Sequence, residues 1–129
     1  MTPAAPQVTK GYFIEPTVFY DVDDDAEVAR EEIFGPVLTI LKPYKELEEA
    51  IQRANQTEYG LAAGMWSSDP KKIDLFTRKI QAGINWVNCY NIANPYMPFG
   101  GFKLSGIGKD LGEEAINEFT RTKSVTVAV

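Results

Sequence analysis

The amino-acid sequence predicts an α/β fold, and two observations carry this prediction. Three short apolar segments, at 37–44, 61–68 and 84–90, contain β-branched residues and have the composition of buried strands. Between them lie two segments whose apolar residues recur at helical spacing, one at 45–55 and one that begins at Pro70. Because strands that alternate with helices are joined by crossover connections, we expect a largely parallel sheet with flanking helices.

Composition and charge exclude several classes of function. The chain has 129 residues, of which 44% are hydrophobic, and a net charge of −5. A chain of this size can form one globular domain that buries about two thirds of its unfolded surface. The acidic balance argues against a nucleic-acid or anionic-membrane partner, and no apolar run approaches the roughly 18 residues that would span a bilayer. The absence of histidine excludes His-based catalysis and His metal ligation.

The first part of the chain is expected to contain little regular structure. Residues 1–10 contain two prolines and are interpreted as a flexible head, and the segment 11–19 is an edge strand or extended lead-in because Pro16 interrupts it. The acidic run 23–25 is expected to cap a short helix, where the helix dipole favours anions, and the Gly-Pro pair at 35–36 to end it. A calcium loop needs a turning glycine between alternating ligands; none is present, so no metal site is predicted.

The two longer helices have clear sequence signals. The segment 45–55 places its apolar residues on one face and its charges opposite. Asp69 followed by Pro70 predicts an N-cap with proline in the first turn of the next helix. We expect this helix to carry Phe76 inward and to end before Gly83.

The segment from 91 to 112 is predicted to be a long loop, since it contains two prolines and five glycines. Its run SGIGKDLG at 105–112 matches neither GxGxxG nor GxxxxGK[ST], so a glycine hinge that allows close backbone packing is favoured over a phosphate-binding loop. We expect Lys103 and Lys109 to contact backbone carbonyls. After a last helix, the run SVTVAV at 124–129 has the alternating pattern of a terminal strand that needs a partner.

Five motifs occur in a fixed order along the chain: EEIFGPV, YGLAAGMW, GINWVNCYN, PFGGFKLSGIGKDLG and FTRTKSVTV. Together they resemble the C-terminal part of the NAD(P)-dependent aldehyde dehydrogenases, and the upstream GYFIEPTVF is similar to the lead-in of the same family. The resemblance covers residues 11–129. Any one motif alone would be a weak signal, whereas five in order with plausible spacing are a strong one.

The resemblance implies an α/β fold in which 11–119 is the second half of a catalytic domain and 120–129 is an oligomerisation-arm strand. It also implies a reaction, the oxidation of an aldehyde to a carboxylate, in which a cysteine thiolate adds to the carbonyl, hydride passes to NAD or NADP, and a glutamate activates water. In the family, that cysteine, that glutamate and the adenosine-binding region lie upstream of the matching motifs. No catalytic residue is therefore predicted in this chain, and Cys89 is interpreted as a buried, inert thiol.

Four site residues are carried over from the resemblance. Glu32 is expected to accept hydrogen bonds from the nicotinamide ribose, and Phe34 to pack against the nicotinamide. Asn88 and Phe99 are expected to line the substrate tunnel, together with the loop 91–99. The alternative is a purely structural role. In that case Glu32 belongs to a solvated helix end, Phe34 is a core residue, and Phe99 is a hydrophobic anchor beside the Gly-Gly turn.

Two hypotheses about function follow. In the first, the chain is a portion of an aldehyde dehydrogenase, inactive alone and with weak or no NAD binding of its own. In the second, it is a non-catalytic interaction module. It would self-associate, or pair with a full-length aldehyde dehydrogenase subunit, through strand addition by 120–129. The single cysteine and the lack of a signal-like start favour a cytoplasmic location.

Overall fold

The structure, a computed structural model, describes residues 10–129. The predicted flexible head at 1–10 lies outside the described residues except for Lys10. The chain divides into two units, Met1–Pro43 and Tyr44–Val129, and each is described by itself. None of the helices between residues 10 and 129 has the length and apolar character needed to cross a membrane.

The first unit is a β-α-β arrangement of short elements. Strand β1 (Thr17–Val22) pairs in parallel with β2 (Val37–Leu41), and the register shifts between Phe19 and Val22. Helix α1 (Glu27–Arg30) lies in the connection between the two strands. The Thr39 hydroxyl donates a hydrogen bond to the carbonyl of Val28 at 3.0 Å, which ties the helix to β2. The parallel pairing of β2 agrees with the expected largely parallel sheet. The predicted edge strand or lead-in at 11–19 is a strand only from Thr17, and this strand continues to Val22.

Two predictions about α1 are wrong. The helix ends at Arg30 rather than near residue 35, because the backbone is already extended at Glu31, with φ −88° and ψ 140°. The acidic run does not cap it: the N-cap is Ala26, which makes no side-chain capping bond. Instead the Asp23 carboxylate pairs with the Lys42 ammonium, and this hydrogen bond and charge raise the pKa of Lys42 above its usual value.

The second unit contains the remaining elements. They are α2 (Leu47–Ala54), β3 (Tyr59–Gly60), β4 (Ala62–Met65), α3 (Pro70–Lys79), β5 (Ile84–Val87), β6 (Phe102–Lys103) and α4 (Ala115–Phe119). Strand β4 pairs in parallel with β5, as predicted, whereas β3 and β6 form an antiparallel pair that was not predicted. Within residues 10–129 the strands thus form three separate two-stranded sheets, not one continuous sheet. Two-residue strands are too short to show a hydrophobic period.

Helices α2 and α3 form the small core of this unit. The Asp69 side chain accepts the Lys71 N–H at 2.9 Å, with proline in the first turn, so the predicted N-cap is confirmed. Ile51 on α2 and Phe76 on α3 are each only 4% exposed. The core of the unit is therefore built on the faces that the helical spacing predicts.

Polar contacts join the C-terminal ends of α2 and α3. The side chain of Asn55 donates to the carbonyl of Lys79 and accepts the N–H of Gln81, both at 2.8 Å. The Lys103 ammonium donates to the carbonyls of Asn55 at 2.8 Å and Thr57 at 3.1 Å. A cation at the carbonyl end of a helix satisfies orphan acceptors and complements the helix dipole. The predicted contact between Lys103 and backbone carbonyls is confirmed.

The chain leaves a large apolar surface uncovered. One face of the β1–β2 sheet is open: Val18 and its partner Leu38 are 56% and 58% exposed, and Ile40 is 49% exposed. On the other face, the β2 residues Val37, Thr39 and Leu41 are half-buried. An open apolar face in a folded chain indicates contact with other protein.

Residues 120–129 contain no regular secondary structure, and they pair with no other strand of the described chain. Val125, Val127 and Val129 are all highly exposed, at 75%, 76% and 125%. Alternate residues of an extended segment share one face, so these valines suit one apolar strand face. The oligomerisation-arm strand stays a prediction.

Candidate functional site

Phe99 lies beside a cavity of about 300 Å³ in the second unit. It forms an antiparallel bridge with Asp110, with N–H···O distances of 2.6 and 2.7 Å, which fixes the backbone on both sides of the aromatic ring. Leu61 and the charged side chains of Lys109 and Glu118 also line this cavity. The ring is 39% exposed and therefore available to a ligand. Its expected role as a tunnel wall stays a prediction.

Backbone packing between glycines shapes this cavity. A β-carbon on Gly83 would lie 1.8 Å from the carbonyl oxygen of Gly100, so only glycine fits at that point. The three glycines of the 105–112 run, Gly106, Gly108 and Gly112, all have positive φ, at 124°, 79° and 62°. Glycine adopts this region at little cost. The conformations of these three positions thus explain why the run is rich in glycine.

The Lys109 side chain is used inside the fold. Its ammonium donates to the carbonyl of Gly101 at 3.1 Å and lies 5.2 Å from the centre of the Phe102 ring, a cation–π contact. The predicted contact of Lys109 with a backbone carbonyl is therefore confirmed. Nothing in this arrangement gives Lys109 a catalytic part.

Asn88 directly follows β5 and connects it to the end of β4. Its amide oxygen accepts the N–H of Ser67 and its amide nitrogen donates to the carbonyl of Ser67, each at 2.9 Å. Its backbone has φ 57°, in the left-handed region that asparagine tolerates better than most residues. The side chain thus replaces a strand partner for Ser67. This contact holds the strand end from which the loop 91–99 departs, while a direct contact of Asn88 with substrate stays a prediction.

Two neighbours of Asn88 require comment. Cys89 is half-buried, so the prediction of a buried thiol is wrong. Trp86, on β5, was not identified from the sequence. Its indole N–H donates to the carbonyl of Ile92 at 2.9 Å, and its ring lies 5.0 Å from that of Tyr90. A tryptophan predicted on a strand could have been identified as a candidate, because a half-buried indole N–H usually finds a hydrogen-bond acceptor.

Glu32 and Phe34 lie in the first unit, in the segment between α1 and β2. The Glu32 side chain is exposed and makes no hydrogen bond or ion pair with the described residues, so its oxygens are free to accept from a ligand. Phe34 is 92% exposed, so the alternative that it is a core residue of this chain is wrong. It also has φ 55°, a strained conformation for a bulky side chain. Strained, exposed aromatics of this kind are typical of binding sites.

The roles expected for Glu32 and Phe34, contacts with the nicotinamide ribose and with the nicotinamide, stay predictions. The carboxylate can bridge a vicinal diol, and the ring offers a flat apolar surface. The pair supplies nothing for the phosphates or the adenine. Asn88 and Phe99 lie in the second unit, so the four predicted residues form one pair in each unit.

We expect Phe34→Asn to stabilise the isolated chain by about 0.5–1 kcal/mol. The left-handed conformation costs a bulky residue about 1–2 kcal/mol and costs asparagine less. Because the Phe34 ring is exposed, its removal loses no packing. Urea unfolding monitored by circular dichroism measures the change. Ile33→Asn is the matched control, because it removes an apolar side chain at a neighbouring position without positive φ and should bring no gain. A Phe34→Asn chain no more stable than the parent would contradict the strain.

Comparison with known proteins identifies the family. The sequence profile of the aldehyde dehydrogenase family matches residues 2–125. The chain belongs to the aldehyde dehydrogenase family. Its curated relatives include the mitochondrial aldehyde dehydrogenase of Sus scrofa, 52% identical over 120 residues, and aldehyde dehydrogenase 1A1 of Bos taurus, 50% identical over 124 residues. These alignments cover 93% and 96% of this chain but only 23% and 25% of the relatives.

Solved aldehyde dehydrogenases share the fold of this chain. The NAD+ complex of the Bacillus cereus enzyme superposes with a TM-score of 0.88 at 49% identity, covering 95% of this chain and 25% of that one. An indole-3-acetaldehyde dehydrogenase mutant of P. syringae, in complex with NAD+ and IAA, gives a TM-score of 0.84 at 46% identity, covering 88% and 23%. The α/β fold class is confirmed. The chain spans about a quarter of the length of the aldehyde dehydrogenases it matches.

Proposed function

We propose that this chain is the C-terminal portion of an NAD(P)-dependent aldehyde dehydrogenase, with the second half of the catalytic domain at 11–119 and the oligomerisation-arm strand at 120–129. The observation that carries the proposal is the match of residues 2–125 to a family whose members are about four times longer. The open face of the β1–β2 sheet supports it, because it is a surface that other parts of a larger protein would cover.

In this proposal the chain supplies one end of the cofactor site. Glu32 accepts hydrogen bonds from the nicotinamide ribose hydroxyls, and Phe34 packs against the nicotinamide of NAD or NADP. The bound cofactor would supply the hydride acceptor for aldehyde oxidation. Asn88, Phe99 and the loop 91–99 form part of the substrate tunnel, where they orient the aldehyde and exclude water.

The chain alone is proposed to be inactive. Its single cysteine, Cys89, is half-buried, and in the proposal the nucleophilic cysteine and general-base glutamate belong to the remaining three quarters of a complete enzyme. Without partners for the phosphates and the adenine, NAD binding by Glu32 and Phe34 is weak. The cytoplasmic location expected from the sequence is retained as part of the proposal.

One pair of assays tests this proposal. The chain alone should show no NAD-dependent oxidation of acetaldehyde or benzaldehyde, and turnover that Cys89→Ser abolishes would contradict it. A hybrid, in which residues 11–129 replace the matching quarter of the Bacillus cereus enzyme, should regain turnover. In that hybrid, Glu32→Gln should raise the KM for NAD by about tenfold, since a hydrogen bond to a charged group contributes about 1.5–3 kcal/mol. A hybrid that folds but does not turn over would contradict the assignment.

We also propose a protein partner, either a second copy or a full-length aldehyde dehydrogenase subunit, that pairs with 120–129. The three exposed valines of this segment support strand addition, in which backbone hydrogen bonds supply affinity and one row of side chains packs. Light scattering at tens of micromolar, roughly the range of weak interfaces, should show dimers or larger species. The association should weaken when Val127 is replaced by Pro, which removes a backbone donor. A monomer at that concentration would count against self-association.

A further inference from the structure

Three contacts anchor the backbone of residues 90–99, here called the substrate loop. The indole N–H of Trp86 donates to the carbonyl of Ile92 at 2.9 Å. The N–H of Gly112 donates to the carbonyl of Pro95 at 3.0 Å. Phe99 is held by its bridge with Asp110. The substrate loop therefore has a fixed path, although most of its side chains are exposed.

The anchor at Ile92 differs from the other two because a side chain makes it. The Trp86 ring also packs against Tyr90, with ring centres 5.0 Å apart and planes inclined by 59°. One half-buried indole thus contacts the first residue of the substrate loop through its ring and the third through its N–H. Removing the N–H alone would release Ile92 and leave the aromatic packing in place.

The loop contains no Asp, Glu, Lys or Arg, and three of its exposed side chains are large and apolar or aromatic, beside the exposed Asn91 and Asn94. Ile92 is 63% exposed, Tyr96 is 88% exposed and Met97 is 63% exposed. An Asx turn sets the second half of the loop: the Asn94 side chain accepts the N–H of Tyr96 at 3.0 Å. The positions of these side chains, and therefore the room for a ligand beside them, depend on where the backbone at Ile92 is held.

We propose that Trp86 is a positioning residue that fixes the substrate loop and thereby sets the size of the uncharged aldehyde that the site admits. The inference rests on the proposed function, in which this loop lines the tunnel. Trp86 itself touches no substrate. It acts through Ile92 and Tyr90, by holding the loop in one arrangement before the aldehyde binds.

The first test uses this chain alone and follows cleavage by chymotrypsin after Tyr96, with mass spectrometry to identify the bond. Trp86→Phe keeps a ring against Tyr90 but removes the donor to Ile92. We expect cleavage to be about fivefold faster. The loss of one hydrogen bond should increase the population of the open loop by about that factor, and the protease cleaves the open loop. Trp66→Phe is the matched control: this tryptophan is 65% exposed, and the substitution should leave the rate unchanged. Equal rates in the parent and Trp86→Phe would overturn the proposal.

The second test uses the hybrid enzyme and separates positioning from general stability. Trp86→Phe should lower kcat/KM for benzaldehyde about fivefold, through a higher KM. It should change kcat/KM for acetaldehyde by less than twofold, because a small aldehyde contacts fewer residues of the loop. A loss that is equal for both aldehydes would indicate a merely structural role and overturn the proposal. If the unsubstituted hybrid has no activity, the proposed function fails, and the cleavage rates still decide whether Trp86 holds the loop.

Discussion

Gly83→Ala should lower the free energy of unfolding of the second unit by about 3 kcal/mol or more, enough to leave a marginal domain unfolded. The added β-carbon would lie 1.8 Å from the carbonyl oxygen of Gly100 and 3.3 Å from the Cα of Gly101. Both neighbours are backbone atoms, so no side chain can rotate away. Urea unfolding monitored by circular dichroism gives the change in midpoint.

Gly64→Ala is the matched control for this experiment. It adds the same methyl group to a strand of the same unit, but the nearest atom there is a ring carbon of Tyr90 at 3.4 Å, an ordinary contact. We expect a change of no more than about 0.5 kcal/mol, because alanine in a strand loses less entropy than glycine. If Gly83→Ala were as mild as Gly64→Ala, the close approach of Gly83 to Gly100 would be wrong, and with it the shape of the cavity beside Phe99.

Asn88→Ala is expected to cost about 2–4 kcal/mol. It removes two hydrogen bonds to the Ser67 backbone, each contributing about 0.5–1.5 kcal/mol, and leaves alanine in a left-handed conformation that costs it about 1 kcal/mol more than it costs asparagine. Asn88→Gly loses the same bonds but tolerates the conformation, so it should cost less. Thermal unfolding of the two variants separates the side-chain contribution from the backbone contribution.

Asn91→Ala supplies the control for the backbone contribution. Asn91 has φ 56°, nearly that of Asn88, and its side chain makes no hydrogen bond with the described residues. Its replacement should therefore cost only the conformational part, about 1 kcal/mol. An Asn88→Ala variant no less stable than Asn91→Ala would show that the amide contact with Ser67 does not hold the strand ends together.

Local signals in the sequence predicted local structure well. The Asp69-Pro70 pair predicted the start of α3, and the buried faces of α2 and α3 carry Ile51 and Phe76 at the expected spacing. The parallel direction of β4 and β5 followed from the strand–helix–strand order. These features depend on residues close together in the chain, so periodicity and capping chemistry are enough to find them.

The local predictions for α1 failed, and several contacts were not predicted, because contacts between separated segments decide the structure at these places. The acidic run pairs with Lys42, nineteen positions beyond Asp23, instead of capping α1. The antiparallel pair of β3 and β6 joins strands of only two residues. The bond from Trp86 to Ile92 depends on a loop that doubles back, and a hydrophobic pattern contains no information about such a path.

The sequence by itself determined the family, the alternation of the main strands and helices, and the candidate residues Glu32, Phe34, Asn88 and Phe99, because motif order and side-chain chemistry are written along the chain. Only the tertiary structure decided how these residues are held. It showed an exposed Phe34 in a strained backbone, an Asn88 amide occupied by Ser67, and a Phe99 fixed by Asp110. The physical reason is that hydrogen-bond partners and backbone close approach depend on distances through space, which neighbours in sequence do not specify.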